Sequence, residues 1–170
     1  MGMVDILKQY ATPGATATGD VFGHFDSVAS QATPKDLGGG VAAALRSNAT
    51  PSLGETIGNL FGQSNPQQKA GVLNEIMQSM GGPALGAGGG ILARILGTGA
   101  QASSSSITPA QAAQISASDV STIATNAQQH DDSLVDRLGA FYAQHPTLVK
   151  SLGIAALGAV MTHMSSLQRT

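Results

Sequence analysis

The chain of 170 residues has no cysteine and no tryptophan, and charged and aromatic residues are scarce in it. Without cysteine it forms no disulfide, no thiolate zinc site and no thiol nucleophile. Charged residues make up 11% of the sequence, against about a quarter in typical domains. The eight basic residues stand singly and the net charge is −2. Because phosphate binding requires clustered cations, we expect no nucleic-acid partner.

Signals for secretion or for a membrane span are also lacking. The amino terminus, MGMVDILKQY, includes an aspartate and no long apolar core, so it does not have the pattern of a secretory signal. Ile6 occupies the place where a myristoylation signal has serine or threonine. The most apolar run, 152–161, is about half as long as a bilayer-spanning helix. We therefore predict a cytoplasmic protein without a transmembrane helix.

Small residues and helix-start signals are abundant instead. Three Thr-Pro pairs, at 33–34, 50–51 and 108–109, place a capping side chain before a residue suited to the first helical turn. Thr108 is followed three residues later by Gln111, which is the spacing of a capping box. No segment alternates polar and apolar residues over a useful length. The sequence therefore predicts an all-α fold with no sheet.

The predicted helices are short, and each bears apolar residues at helical spacing. Asp20 and Ser118 are expected to cap two of them, and Gly81-Gly82-Pro83 is expected to end another. Residues 84–98 stay undecided between helix and loop. The predicted helices cover residues 3–10, 21–29, 34–46, 51–62, 66–80, 108–114, 119–129, 133–144 and 147–166.

Composition also predicts how these helices are grouped. Residues 1–19 are expected to be a flexible segment with one short helix, and 20–96 a glycine-rich helical lobe. Residues 97–107, which include GTGAQASSSS, have the composition of a Gly/Ser linker. Residues 108–170 are expected to form a C-terminal helical lobe. Small side chains bury little area, so we expect modest stability unless other copies of the chain add buried surface.

Rows of small residues are the most informative pattern. Glycine recurs at every fourth position over 54–62 and again over 82–90, and residues four apart share one helix face. Such a face lets a second helix approach closely. For 82–90, which includes a proline and extra glycines, a loop is favoured. Contacts inside the chain are the alternative to an interface between molecules. The candidate interface residues are Gly54, Ile57, Gly58, Phe61 and Gly62 on one surface, and Ser151, Ala155 and Ala159 on a second.

Residues suited to catalysis or metal binding are scattered. The four histidines, at 24, 130, 145 and 163, lack a partner at zinc-ligand spacing. Asp132 and Asp136 are four apart, but we expect them on a solvated face, and Glu55 and Glu75 stand alone. The glycines at 86–90 follow no strand and lack the P-loop lysine. We therefore predict no enzyme and no catalytic, cofactor-binding or metal residue; the alternative is a small-ligand site around His24 or His130.

One segment resembles a known family. Leu37-Gly-Gly-Gly-Val-Ala-Ala-Ala-Leu45, followed by Leu53-Gly54, Ile57-Gly58 and Leu60-Phe61-Gly62, looks like the YidB-like family of small bacterial proteins. The resemblance covers residues 34–80 and implies a glycine- and leucine-rich helical protein of bacterial origin. The family has no settled activity, so it supplies no site residues.

These observations favour a non-enzymatic helical interaction or self-assembly protein without a cofactor. The expected partner is a second copy of the chain, forming a homo-oligomer, or another helical protein. Association with a membrane surface through 84–98 and 152–161 is the alternative, although the chain lacks the basic face and tryptophan usual in interfacial helices.

Overall fold

The computed structural model describes residues 2–11, 19–48, 50–84 and 106–167. Within these ranges the backbone forms ten helices and no strand, so the all-α prediction is confirmed. The helices are α1 (Met3–Tyr10), α2 (Val21–Ala29), α3 (Pro34–Leu45), α4 (Leu53–Gln63), α5 (Pro66–Ala84), α6 (Pro109–Ala112), α7 (Ala117–His130), α8 (Leu134–Ala143), α9 (Pro146–Lys150) and α10 (Ile154–Leu167).

Three predicted helix starts are confirmed by their capping bonds. The Asp20 carboxylate accepts a hydrogen bond from the backbone N–H of Gly23 at 3.0 Å and begins α2. The Thr33 hydroxyl accepts one from the N–H of Asp36 at 3.2 Å and begins α3. At α6 both bonds of the capping box are present between Thr108 and Gln111. Each cap satisfies an amide that the helix itself leaves without a partner.

Two other helices begin at a different residue from the one predicted. Ser52, not Thr50, caps α4, and its Oγ lies 3.4 Å from the backbone N of Glu55. Ser116, not Ser118, caps α7, with its Oγ 3.1 Å from the backbone N of Asp119. The Ser116 hydroxyl also donates to the Asp119 carboxylate at 2.7 Å. Ser118 is the second residue of α7 and therefore lies inside the helix rather than at its cap.

Helix α5 runs through Gly81-Gly82-Pro83 to Ala84, so the predicted stop at these residues is wrong. A proline near a helix end removes only one backbone bond, and each interior glycine costs about 1 kcal/mol relative to alanine. The preceding turns of α5 bury Val72, Leu73 and Ile76 completely. Burial of this apolar face offsets the low helix propensity of the glycines and the proline that follow. The predicted loop positions Gly86 and Gly90 lie outside the described residues.

The single helix predicted over 147–166 is two helices. Helix α9 ends at Lys150 and α10 begins at Ile154. Between them Gly153 has φ of +90°, a left-handed conformation that side-chain-bearing residues rarely adopt. The apolar run 152–161 hides this break, because it continues through the glycine without any change of composition.

The contacts divide the chain into two compact units. The terminal unit comprises residues 1–51 and 136–170, and the central unit comprises 52–135. This division differs from the consecutive lobes expected at 20–96 and 108–170, since both arms of the sequence belong to one unit. In the terminal unit α3, α1 and α2 pack against α10. In the central unit α4 packs against α7, and α5 packs against α6 and α7.

Candidate interaction surfaces

Helices α4 and α7 meet at the first predicted glycine row. A Cβ atom added at Gly54 would overlap Oγ1 of Thr125 and lie 2.6 Å from the carbonyl oxygen of Ser121. One added at Gly58 would lie 2.8 Å from the carbonyl oxygen of Ala117. The two backbones are therefore too close for any larger residue at these positions. The glycines do produce a close helix contact, as the four-residue spacing predicts.

The partner in this contact is α7 of the same chain. Ala117, Ser121 and Thr125 form a small-residue row at the same spacing, and the Thr125 hydroxyl donates to the Ser121 carbonyl at 2.9 Å. Most of the first candidate surface is therefore covered inside the chain, which corrects the expectation that it faces another molecule. Gly54, Ile57, Gly58 and Phe61 are buried, and Gly62 alone among the five is exposed.

A second close helix contact, which no glycine row of the sequence predicts, lies in the terminal unit. A Cβ atom at Gly139 of α8 would lie 2.5 Å from the carbonyl oxygen of Gly38 and 2.9 Å from the backbone nitrogen of Ala42, both on α3. A Cβ atom at Gly40 would lie 2.9 Å from Cγ1 of Val160 on α10. On α8 the signal is a lone glycine within the apolar pattern, because Gly139 belongs to no four-residue row; on α3 it is the run of small residues that includes Gly38 and Ala42.

Helix α10 has one face against the terminal unit and one face outward. Ala156, Leu157, Val160, Met161 and Met164 are buried, and α3 is its main partner. The opposite side, which we call the outer α10 face, consists of Ile154, Ala155, Gly158 and Ala159. Ile154 is 59% exposed, Ala155 is exposed and Ala159 is half-buried.

The outer α10 face includes part of the second candidate surface. Ala155 and Ala159 lie four apart on one helix, as predicted, but Ser151 follows α9 on the far side of the Gly153 break. Ser151 therefore does not extend the row, because four-residue spacing aligns side chains only on an uninterrupted helix. Apart from its two chain neighbours and the adjacent backbone of α10 itself, no described residue lies within 4 Å of a Cβ added at Gly158. Helix α10 also contains no aspartate, glutamate, lysine or arginine.

Other large apolar side chains are exposed on the same unit. Val4 on α1 is 51% exposed, Phe22 on α2 is 40% exposed and Leu167 on α10 is 43% exposed. Helices α1, α2 and α10 contact one another. Within the described ranges, the exposed large hydrophobic side chains thus all belong to the terminal unit.

The polar residues considered for chemistry take part in local contacts. The Tyr10 hydroxyl lies 3.1 Å from Nδ1 of His24, with the two rings edge to face. Burial, and secondarily the charge of Asp20, raises the pKa of Tyr10. Nδ1 of His130 lies 2.8 Å from the carbonyl oxygen of Asn126 one turn earlier. Among the described residues there is no group of three or more His, Asp or Glu side chains arranged to hold a metal ion.

Asp136 binds Arg46 across the terminal unit. Two guanidinium nitrogens donate to its two carboxylate oxygens at 2.8 Å and 3.0 Å. These hydrogen bonds hold the pKa of the Asp136 carboxyl below its ordinary value. The pair joins the end of α3 to α8. Asp132 and Asp136 are both exposed, as expected for a solvated face.

Tyr142 is the most unusual polar residue in the core. Its side chain is fully buried, and its hydroxyl has no hydrogen-bond partner among the described residues. Burial raises the pKa of this hydroxyl far above its ordinary value. The apolar pattern of α8 places Tyr142 correctly in the core, but it does not reveal the unpaired hydroxyl.

Comparison with known proteins adds no relative. No protein family, curated protein or solved structure matches the chain. The resemblance to the YidB-like family therefore stays a prediction. In the part of the chain that the structure describes, no helix combines the length and apolar character needed to cross a bilayer.

Proposed function

We propose that this protein is a non-enzymatic helical interaction module that associates with a second copy of itself through the outer α10 face. The observation that supports this proposal is an exposed, uncharged helix surface on which Ile154 stands beside the open position at Gly158. This surface takes the place of the α4 glycine row, whose contact is made within the chain.

The packing of the glycines motivates the choice of surface. A glycine inside a helix costs about 1 kcal/mol relative to alanine, and close packing offsets that cost where a partner occupies the space. At Gly40, Gly54 and Gly58 another helix of the chain lies against the missing side chain. At Gly158 no described residue does so. A helix docked on the outer α10 face would supply the missing contact and cover Ile154.

A second copy suits this surface because the surface has no fixed charge. In a two-fold dimer the same patch meets itself, so any charge near the axis would face a like charge. Helix α10 contains no aspartate, glutamate, lysine or arginine, so it avoids that repulsion. Small residues at Ala155, Gly158 and Ala159 also permit a short distance between two helix axes.

Sedimentation of wild type and of Ile154→Glu up to high micromolar concentration tests the proposal. Burial of one isoleucine is worth about 1.5–3 kcal/mol, so we expect the variant to weaken association by about tenfold or more. Val4→Glu is the matched control, since Val4 is also about half exposed but lies on α1. A monomeric wild type, or equal weakening by both variants, would contradict the proposal.

Contact with a membrane surface is a second candidate. It is favoured by the four exposed apolar side chains on α1, α2 and α10, which belong to the same unit. Flotation with neutral and with anionic vesicles separates the two candidates. Recovery of the protein in the lipid fraction at concentrations where it is monomeric would support this second candidate, and its absence there would eliminate it.

A further inference from the structure

We propose that α1 is an exchangeable arm, and that the site it occupies on α2 and α10 also receives α1 from a second copy of the chain. This contact goes beyond association through the outer α10 face, because the segment that docks is α1 and its site also includes α2. The partner must be a second copy of the chain, because the helix that docks is α1 itself.

The contacts of α1 are suited to exchange. Its buried side chains are Ile6, Leu7 and Tyr10, and its neighbours are α10 and α2. Two polar contacts accompany them: the Tyr10 hydroxyl meets His24 at 3.1 Å, and the Thr162 hydroxyl lies 3.4 Å from the carbonyl oxygen of Tyr10. The whole set can therefore form equally well when α1 comes from another molecule.

The connection to α2 is long enough for α1 to reach another copy. Ten residues, ATPGATATGD, separate Tyr10 from Val21, and an extended chain of that length spans about 33–36 Å. This sequence contains no large apolar side chain. The sequence of the connection therefore offers no large apolar side chain that would oppose withdrawal of α1.

Helix α1 depends on its docking site to exist as a helix. It has eight residues, whereas isolated helices below about 12–15 residues are marginal in water. When α1 leaves its site, its apolar side chains are exposed to water. They are buried again only when α1 docks on α2 and α10 of its own chain or of another copy. A short tether gives a local concentration in the millimolar range, so the chain's own α1 wins in dilute solution. Exchange is expected to rise with protein concentration.

Cysteine cross-linking provides the test, because the natural chain has no cysteine. Met3 of α1 and Leu167 of α10 line one pocket of about 130 Å³. The Met3→Cys variant, enlarged by a tag, is mixed with the untagged Leu167→Cys variant, and a short bismaleimide is added. The cross-linked dimer of one tagged and one untagged chain is then quantified on a gel. Val4→Cys replaces Met3→Cys in the control, since Val4 is about half exposed and does not line that pocket.

Exchange predicts that the mixed dimer forms at least about threefold more with Met3→Cys than with Val4→Cys, and that its yield rises with concentration. The double variant Met3→Cys/Leu167→Cys should cross-link within one chain at low concentration, which verifies that the two positions are in reach. Equal yields from Met3→Cys and Val4→Cys, together with an internal cross-link at every concentration, would overturn the proposal. The outer-face association is read separately, from the sedimentation of Ile154→Glu against Val4→Glu, so failure of arm exchange is distinguishable from failure of the outer-face association.

Discussion

Replacement of Gly58 by alanine should destabilise the protein, whereas the same replacement at Gly62, one turn later on α4, should not. The new methyl group at position 58 would lie 2.8 Å from the carbonyl oxygen of Ala117 and 3.2 Å from Cβ of Ser121. At position 62 its nearest neighbour would be Cβ of Ala117 at 3.9 Å, an ordinary contact. Alanine gains up to about 1 kcal/mol of helix propensity at either site. Overpacking costs about 1–3 kcal/mol at position 58 alone.

Both variants gain helix propensity, so this gain largely cancels when their free energies of unfolding are subtracted. The remaining difference reports the contact between α4 and α7. We expect Gly58→Ala to unfold with a free energy about 1–3 kcal/mol lower than Gly62→Ala. Urea unfolding followed by circular dichroism measures both values, and unchanged slopes against urea would show that the same structure unfolds. Equal stability of the two variants would refute the close approach of α4 and α7. Gly58→Leu, which would abolish an interface between molecules, should instead damage the fold itself.

Two further predictions concern single side chains of the terminal unit. Tyr142→Phe removes a buried hydroxyl that has no partner among the described residues, so it should raise the free energy of unfolding by about 1–3 kcal/mol. Burial raises the pKa of this hydroxyl in the folded state, so wild type should lose stability as the pH rises above the ordinary tyrosine pKa of 10.0. Tyr142→Phe should lose less stability over the same pH range. Identical alkaline stability profiles of the two proteins would contradict this prediction. Arg46→Ala should cost less than about 1 kcal/mol near neutral pH, since the Arg46 and Asp136 side chains are 46% and 62% exposed. The Asp136 pKa is lowered in the folded state, so the difference between wild type and Arg46→Ala should fade in acid unfolding as the pH drops below the ordinary value of 3.8.

Local chemistry explains which features were predictable. The caps at Asp20, Thr33 and Thr108 depend on residues three positions apart, and apolar spacing identifies the buried side of a helix without knowledge of its partner. Helix α1 was therefore placed at its observed bounds, 3–10. The glycine row on α4 indicated close packing for the same reason, since its spacing is a property of one helix.

Features that depend on distant partners were not predictable in the same way. Nothing in the row at Gly54 and Gly58 specifies that its partner is α7 of the same chain rather than another molecule. Gly139 contacts Gly38 from a position 101 residues later in the sequence, and no local pattern links the two. The break at Gly153 requires a left-handed backbone that composition alone does not reveal. The spacing of Ala155 and Ala159 predicted part of the outer α10 face, but the exposure of Ile154 beside them depends on how α10 packs.

The order of synthesis gives the discontinuous terminal unit a consequence for biogenesis. A ribosome completes residues 52–135 as one uninterrupted stretch, so every helix of the central unit is synthesised before α10. Helices α1, α2 and α3 emerge earliest, yet their common packing partner is α10, which starts at Ile154. More than a hundred further residues are translated before α10 can cover the apolar sides of these helices. During that interval the exposed apolar surface is a candidate for chaperone binding.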